Sequence, residues 1–197
     1  MTNVRHFTAT GFVVHNDRVA LHWHPKVKAW LPPGGHINEN EDPVQAVVRE
    51  IYEETGLDVE IISTAPSLNL EYPVPVIPPF TILVENIDDP DQGWHQHIDM
   101  IYICRPVGRV ENLNNGWLWV SRHQLAKNST IKRAGGTAEP PPEDVRVLAG
   151  HAFEVVSAVL AGVINKQLVV SLQAMGASAI GISGVDGGLI EGDLQDP

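Results

Sequence analysis

A single cysteine, Cys104, in a chain of 197 residues leaves no partner for an internal disulfide and no cysteine cluster to suggest zinc. Lysine and arginine are scarce as well, 13 against 24 aspartates and glutamates, for a formal net charge of -11 and a sequence pI near 5.1. That balance argues against nucleic acid or an anionic membrane as partner. The N-terminus lacks a basic region leading into an apolar run, and nowhere do 18 apolar residues follow one another. These absences leave a soluble, cytoplasmic protein as the default, with no nucleic-acid or membrane partner. An anionic substrate would need a metal ion to meet it.

The hydrophobic content, 43 %, suffices for one globular domain and a small appendage. The chemistry is concentrated between Gly35 and Leu57, GHINENEDPVQAVVREIYEETGL. Asp42-Pro43 opens a helix there, because Asp caps free amides and Pro in the first turn lacks an N–H that would be orphaned anyway. Gly56 stops it. Val44, Val47, Val48 and Ile51 recur at helical spacing as an apolar stripe, while Glu50, Glu53 and Glu54 fall three and four apart on a neighbouring face. Three carboxylates within one turn repel each other unless a cation compensates them, and oxygen ligands of this kind suit Mg²⁺ or Mn²⁺. A solvated acidic face is the plainer reading of the three glutamates alone.

The spacing of the whole stretch decides between them. Counting from Gly35, Glu41 lies six residues on, then come Arg49-Glu50, Ile51, Glu53-Glu54, Gly56 and Leu57. This resembles the Nudix hydrolase signature, G-x5-E-x7-R-E-U-x-E-E-x-G-U with U apolar, at every specified position. The resemblance implies a metal held by Glu50, Glu53 and Glu54, with a carbonyl of Gly34 or Gly35 completing the coordination. It also implies that Arg49 orients the carboxylates and Glu41 holds loop to helix. Glu53 is the first choice of general base, ahead of His95 or His97, so the catalytic set is Glu53, Glu54 and Arg49. Asn40 stands where family members often carry glycine, a mild departure because Asn tolerates left-handed backbone.

Around this stretch, FTATGFVV (7–14) and RVALHW (18–23) read as a hairpin turning at His15-Asn16-Asp17, and Ala29-Trp30-Leu31 as a short strand. The segment Pro32-Pro33-Gly34-Gly35 reads as a loop delivering backbone to the acidic helix. After the helix, 59–63 is β-like. The proline-rich 71–79 reads as an edge or loop shaping a pocket wall. In some Nudix subfamilies a proline or a tyrosine at this distance accompanies different substrates; Tyr72 and Pro73 are both present. Residues 80–84 read as a strand, 86–93 as an acidic loop, and HIDMIYIC (97–104) as a central strand. His95 and His97 point the same way at its start, as a metal or phosphate site could use. They and Tyr72 are candidate substrate contacts, with Asp99 close by. Residues 116–120 form a strand, Ser121 caps a helix to Ala126, 127–139 is a loop, and a long helix starts at Glu143.

Residues 161–169 and 179–190 are similar to an internal piece of acetylglutamate kinase, of the amino-acid kinase family, where Asn165 would match a substrate-touching asparagine. The piece lacks the phosphate loop and nucleotide lobe of that fold. It is expected to form a helix over 165–173 and an unpaired strand over 179–182, and so to dock on the main domain, exchange with a second chain in a homodimer or stay mobile, a fusion remnant without function being the competing reading.

The expected architecture is a Nudix-type α/β/α sandwich on a mixed sheet, residues 1–160, with an appendage over 161–197. The expected activity is metal-dependent hydrolysis of a phosphoanhydride in a nucleoside diphosphate linked to another moiety. The competing readings are a non-catalytic nucleotide-binding module and, against the missing lobes, an amino-acid kinase.

Overall fold

In the computed structural model, which describes residues 4–66, 68–89, 93–108, 110, 112–133 and 136–183, the chain enters as a hairpin of β1 (Arg5–His15) and β2 (Arg18–His24). Asn16 and Asp17 take φ of 46° and 58°, the left-handed pair that a two-residue turn between twisted strands requires. β3 (Ala29–Leu31) extends β2, pairing Trp30 with Trp23. The glycine pair is strand rather than loop: β4 (Gly34–His36) pairs antiparallel with β1, Thr10 opposite Gly34 and Thr8 opposite His36. Asn40 then takes φ 64°, as its residue type allows.

Helix α1 (Pro43–Thr55) begins at Asp42, whose carboxylate accepts the amides of Val44 and Gln45, while Gln45 returns a bond to the Asp42 amide. Gly56 ends it at φ 77°. Ala46, Val47 and Ile51 of the helix form a buried core with Ala9, Val13, Ala20, Leu57, Tyr102 and Cys104, against which Val44 and Val48 pack. Ala9 and Val13 of β1 therefore face α1, and by strand alternation Thr8, Thr10 and Phe12 face away from it.

β5 (Val59–Ile61) is followed by the hairpin β6 (Thr81–Asp89) and β7 (Gly93–Pro106). The stretch 86–89 is thus strand, not acidic loop, because each of its residues pairs with β7. β8 (Trp117–Ser121) leads into α2 (Arg122–Ala126), capped by Ser121 and Gln124. A small hairpin of β9 (Ile131–Arg133) and β10 (Gly136–Ala138) occupies what reads as loop in the sequence. The strands make an eight-stranded mixed sheet with the path β3-β2-β1-β7-β5, to which β4, β6 and β8 attach on β1, β7 and β2. β1 and β7 run parallel, and the other pairings described are antiparallel.

Helix α3 (Glu143–Ala158) buries Val145, Ala149, Ala152, Phe153 and Val156. Its Val155 lines a cavity of about 300 Å³ with Phe80, Ile103, Pro78 and Pro79, so the end of the proline-rich segment does shape a pocket wall. The chain divides into two compact units, Met1–Val156 and Ser157–Pro197.

In the second unit, π-helical turns (Val159–Ile164) precede α4 (Asn165–Ala174), and neither buries a residue. The Lys166 ammonium donates to the Gly181 carbonyl at 2.9 Å and the Gln173 amide to that of Ala179 at 3.0 Å. Residues 179–182 form no strand, and no strand among the described residues completes a ladder for them. The resemblance over 184–190 lies outside the described residues. Among the described residues, one helical run, Glu143–Ala174, is long and apolar enough to cross a membrane by length and composition. A core helix, mostly buried, passes the same test; here 22 % of the most apolar window is buried, and the buried residues of the run belong to α3.

Candidate active site

Arg49 is the centre from which the acidic stretch is arranged. Its Nε and Nη2 donate to the two Glu41 oxygens at 2.8 and 2.9 Å, its Nη1 to Glu50 at 2.7 Å and to Glu53 at 3.2 Å, and its Nη2 to the His36 carbonyl at 3.1 Å. A planar five-donor guanidinium can serve several acceptors at fixed angles, which an ammonium cannot. The Glu41 carboxylate also accepts the Asn38 amide at 3.0 Å, so Glu41 joins the loop before α1 to the helix. The Arg49 hydrogen bond holds the Glu41 carboxyl below its ordinary range.

Glu50 and Glu54 lie against β4. A Cβ on Gly35 would fall 2.5 Å from the Glu50 Oε1, so only glycine leaves that carboxylate its position. Glu54 Oε2 accepts the Gly34 amide at 3.0 Å. Burial pushes the Glu54 carboxyl up to about 7, the Gly34 bond opposes the rise, and the charges of Glu50 and Glu53 add to it. Glu53 is the outer member, its side chain 58 % exposed.

This donor set fits a hard divalent cation. Three carboxylates, of Glu41, Glu50 and Glu53, converge on one guanidinium, and with Glu54 held by the Gly34 amide four carboxylates face a single fixed positive charge, an excess that a divalent cation would balance. Among the sequence-expected residues, Gly34, Gly35, Glu41, Arg49, Glu50, Glu53 and Glu54 form one network, and Gly56 shapes the end of its helix.

Residues 5–139 match the NUDIX domain family. The chain belongs to that family. A solved NUDIX-family hydrolase of Clostridium perfringens is 29 % identical and superposes with a TM-score of 0.60, covering 77 % of this chain and 98 % of that one. The "Probable DHNTP pyrophosphohydrolase" of Lactococcus lactis is 29 % identical over 96 residues, 49 % of this chain and 51 % of that protein. An acetylglutamate kinase of Geobacillus kaustophilus is 56 % identical over 52 residues, 26 % of this chain but only 20 % of the kinase. The chain thus spans about half the length of the Lactococcus relative and a fifth of the Geobacillus kinase.

In this Nudix domain the two candidate histidines of β7 do converge, with His95 Nε2 and His97 Nε2 3.1 Å apart. Sequence reasoning missed their companions. His6 of β1 stands opposite His97 in the parallel ladder, and His36 of β4 lies next along β1, so a grouping drawn from three strands becomes visible only with the register. His97 is pulled down to about 4, by burial first and then by His36, His95 and His6; burial and the neighbouring His6 and His95 likewise lower His36, against Glu50. Asp99, on the same face of β7, accepts the Thr8 hydroxyl at 2.9 Å and the Thr10 hydroxyl at 3.0 Å. Tyr72 is 88 % exposed in a stretch without regular structure, where no hydrogen bond or ring contact among the described residues brings it to the acidic network.

Proposed function

We propose that this protein hydrolyses a phosphoanhydride bond in a nucleoside diphosphate linked to another moiety, using a divalent cation held by Glu50, Glu54 and Glu53 with a carbonyl of Gly35. The observation that carries the reading is the convergence of Glu50 and Glu54 on the Gly34-Gly35 backbone, with Arg49 fixing the first of them at 2.7 Å. Mg²⁺, with Mn²⁺ as alternative, suits such oxygen ligands and when bound supplies charge neutralisation for the diphosphate and acidifies water. The chain's own residues do the rest. Glu53, the solvent-facing carboxylate, takes the proton of the attacking water. Arg49 Nη1 holds Glu50 and Glu53 together and aimed, and the Gly34 amide holds Glu54 in place while substrate binds. His95 and His97, on the opposite face of the sheet from this network, are not placed against a substrate held there, and no hydrogen bond or ring contact among the described residues brings Tyr72 to it.

The test is product release from a panel of nucleoside triphosphates, ADP-ribose, dinucleotides, nucleotide sugars and DHNTP, the last after the Lactococcus relative, with Mg²⁺ or Mn²⁺. Glu54→Gln runs beside the parent. Turnover that vanishes in the variant supports the reading and names the substrate class. Nucleotide binding without turnover on any compound overturns it in favour of a binding module.

A further inference from the structure

His6, His36, His95 and His97 crowd one face of three adjacent strands, β4, β1 and β7. The face is set by alternation: Ala9 and Val13 face α1 and Gly35 faces Glu50, so His6 and His36, at the opposite parity on their strands, face away. His97 pairs with His6 and follows His95 by two residues, which puts all four rings on the side remote from the acidic helix. The two groupings are back to back, separated by the backbone of β4.

The rings are close enough to share an ion. One ring nitrogen each from His6, His95 and His97 lie within 4.8 Å of one another. His95 Nε2 and His97 Nε2 are 3.1 Å apart, and His36 Nε2 and His6 Nδ1 are 3.3 Å apart. Tetrahedral bonds of about 2.0–2.1 Å from zinc to imidazole place two ligand nitrogens about 3.3 Å apart, so both pairs already have the span of a tetrahedral edge.

The tautomer of the buried ring is also set. His95 is 3 % exposed, and its Nδ1 lies 2.9 Å from the Gly93 carbonyl oxygen. A carbonyl only accepts, so Nδ1 carries the proton and Nε2 presents a bare lone pair to the cluster. A histidine ligand whose second nitrogen donates to a backbone carbonyl is the usual arrangement behind a bound metal. A cavity of about 400 Å³ lined by His6, Phe7, His36 and Ile37 opens on the group and supplies the entry path.

We propose that His6, His95 and His97, with His36 at the fourth position, form a site for a borderline divalent transition metal of the Zn²⁺ class. It is separate from the carboxylate site on the other side of β4. Imidazole nitrogens select such ions over Mg²⁺ or Ca²⁺, which prefer oxygen. The bound ion clasps β4 to β1 and β7. It thereby fixes the strand whose Gly34 and Gly35 backbone floors the acidic network.

The experiment uses the tag-free full chain, stripped with chelator and returned to buffer with excess Mg²⁺, then titrated with Co²⁺ while the visible ligand-field absorption of four-coordinate cobalt is followed. We expect one equivalent of Co²⁺ to bind, Zn²⁺ to displace it, and Glu54→Gln to leave it unchanged. His97→Ala and His6→Ala should each weaken the affinity at least tenfold, and Zn²⁺ should raise the parent's Tm but not that of His97→Ala. These two positions serve because removing the buried His95 would open a void. Each variant is first shown to melt cooperatively, and His97→Gln replaces His97→Ala if the latter does not. The proposal is overturned if no stoichiometric Co²⁺ binds in Mg²⁺. It is equally overturned if the histidine variants bind like the parent, or if binding is lost in Glu54→Gln and kept in His97→Ala, which would place the ion among the carboxylates. Because the readout is metal uptake, its failure leaves the hydrolase reading untouched, and the reverse holds too.

Discussion

Glu54 accepts the Gly34 amide proton at 3.0 Å, so a carboxylate of the helix is aligned by the main chain of a strand twenty positions earlier. Its replacement by glutamine retains an acceptor oxygen for that amide and removes the charge. Glu54→Gln should therefore keep the parent's Tm within about 2 °C while kcat falls by roughly 10²–10³, the range for loss of one preorganised electrostatic group. Thermal melts beside steady-state kinetics check both halves. A large drop in Tm would show that the charge, not the acceptor, holds the strand.

Gly34 and Gly35 are adjacent, yet alanine at each should fail for different reasons. At Gly34 the added Cβ would meet Thr10 Oγ1 at 2.6 Å and backbone atoms of Ala9 and Thr10 at 2.8 Å. Backbone cannot step aside, so Gly34→Ala should cost about 1–3 kcal/mol of stability. At Gly35 the obstacle is the end of the Glu50 side chain, at 2.5 Å, which can swing away. Gly35→Ala should leave stability within about 1 kcal/mol and instead require about tenfold more Mg²⁺ for half-maximal turnover, as one displaced ligand would. Chemical denaturation and Mg²⁺ titrations separate the two cases.

At Gly11, β1 passes close under α1. A Cβ there would lie 2.5 Å from Ile51 Cδ1 and 3.0 Å from Val47 Cγ2. Gly11→Ala should destabilise by about 1–3 kcal/mol through overpacking. Ile51→Val deletes the Cδ1 methyl and alone should cost about 0.5–1.5 kcal/mol. Combined, they should cost at least about 0.5 kcal/mol less than their sum. Additivity in urea unfolding would refute the contact.

Tyr102 is 1 % exposed, and its hydroxyl donates to the Ile77 carbonyl at 3.3 Å. Burial first, then the charges of Asp42 and Cys104, push its phenol up to about 12 from 10.0. A raised folded value means the native state holds the proton more tightly than the unfolded state. The contribution is complete below pH 10 and is lost as pH climbs towards 12. Phenolate absorbance should therefore show one late-titrating tyrosine, absent in Tyr102→Phe. That variant should lose about 0.5–1.5 kcal/mol at neutral pH with its hydrogen bond and show a flatter decline of stability in alkali.

The acidic helix was legible because its determinants are local: the Asp42 cap, the Gly56 stop and the glutamate spacing each act over no more than four residues. Asn40 was legible for the same reason. β4 was not, since GGH carries no strand pattern and owes its conformation to β1. Residues 86–89 look like loop by composition, but pairing with β7 overrides side-chain preference. The tail fails in the opposite direction, where 179–182 has strand composition and no pairing strand among the described residues. Of the histidine group only His95 and His97 share a strand. His6 and His36 join them through a register that no local pattern encodes.

The parallel ladder that joins Arg5 to Gln96 and Val13 to Cys104 also sets a timetable. Its Thr8–Asp99 bond spans 91 positions, a long loop to close before any ladder energy is returned. During synthesis the hairpin of β1 and β2 and the capped helix α1 are complete long before β7 leaves the ribosome. Both exist first as local pieces, without the surface that β7 supplies. The final third of the Nudix domain must arrive before the pieces lock together, and the four histidines meet only at that moment.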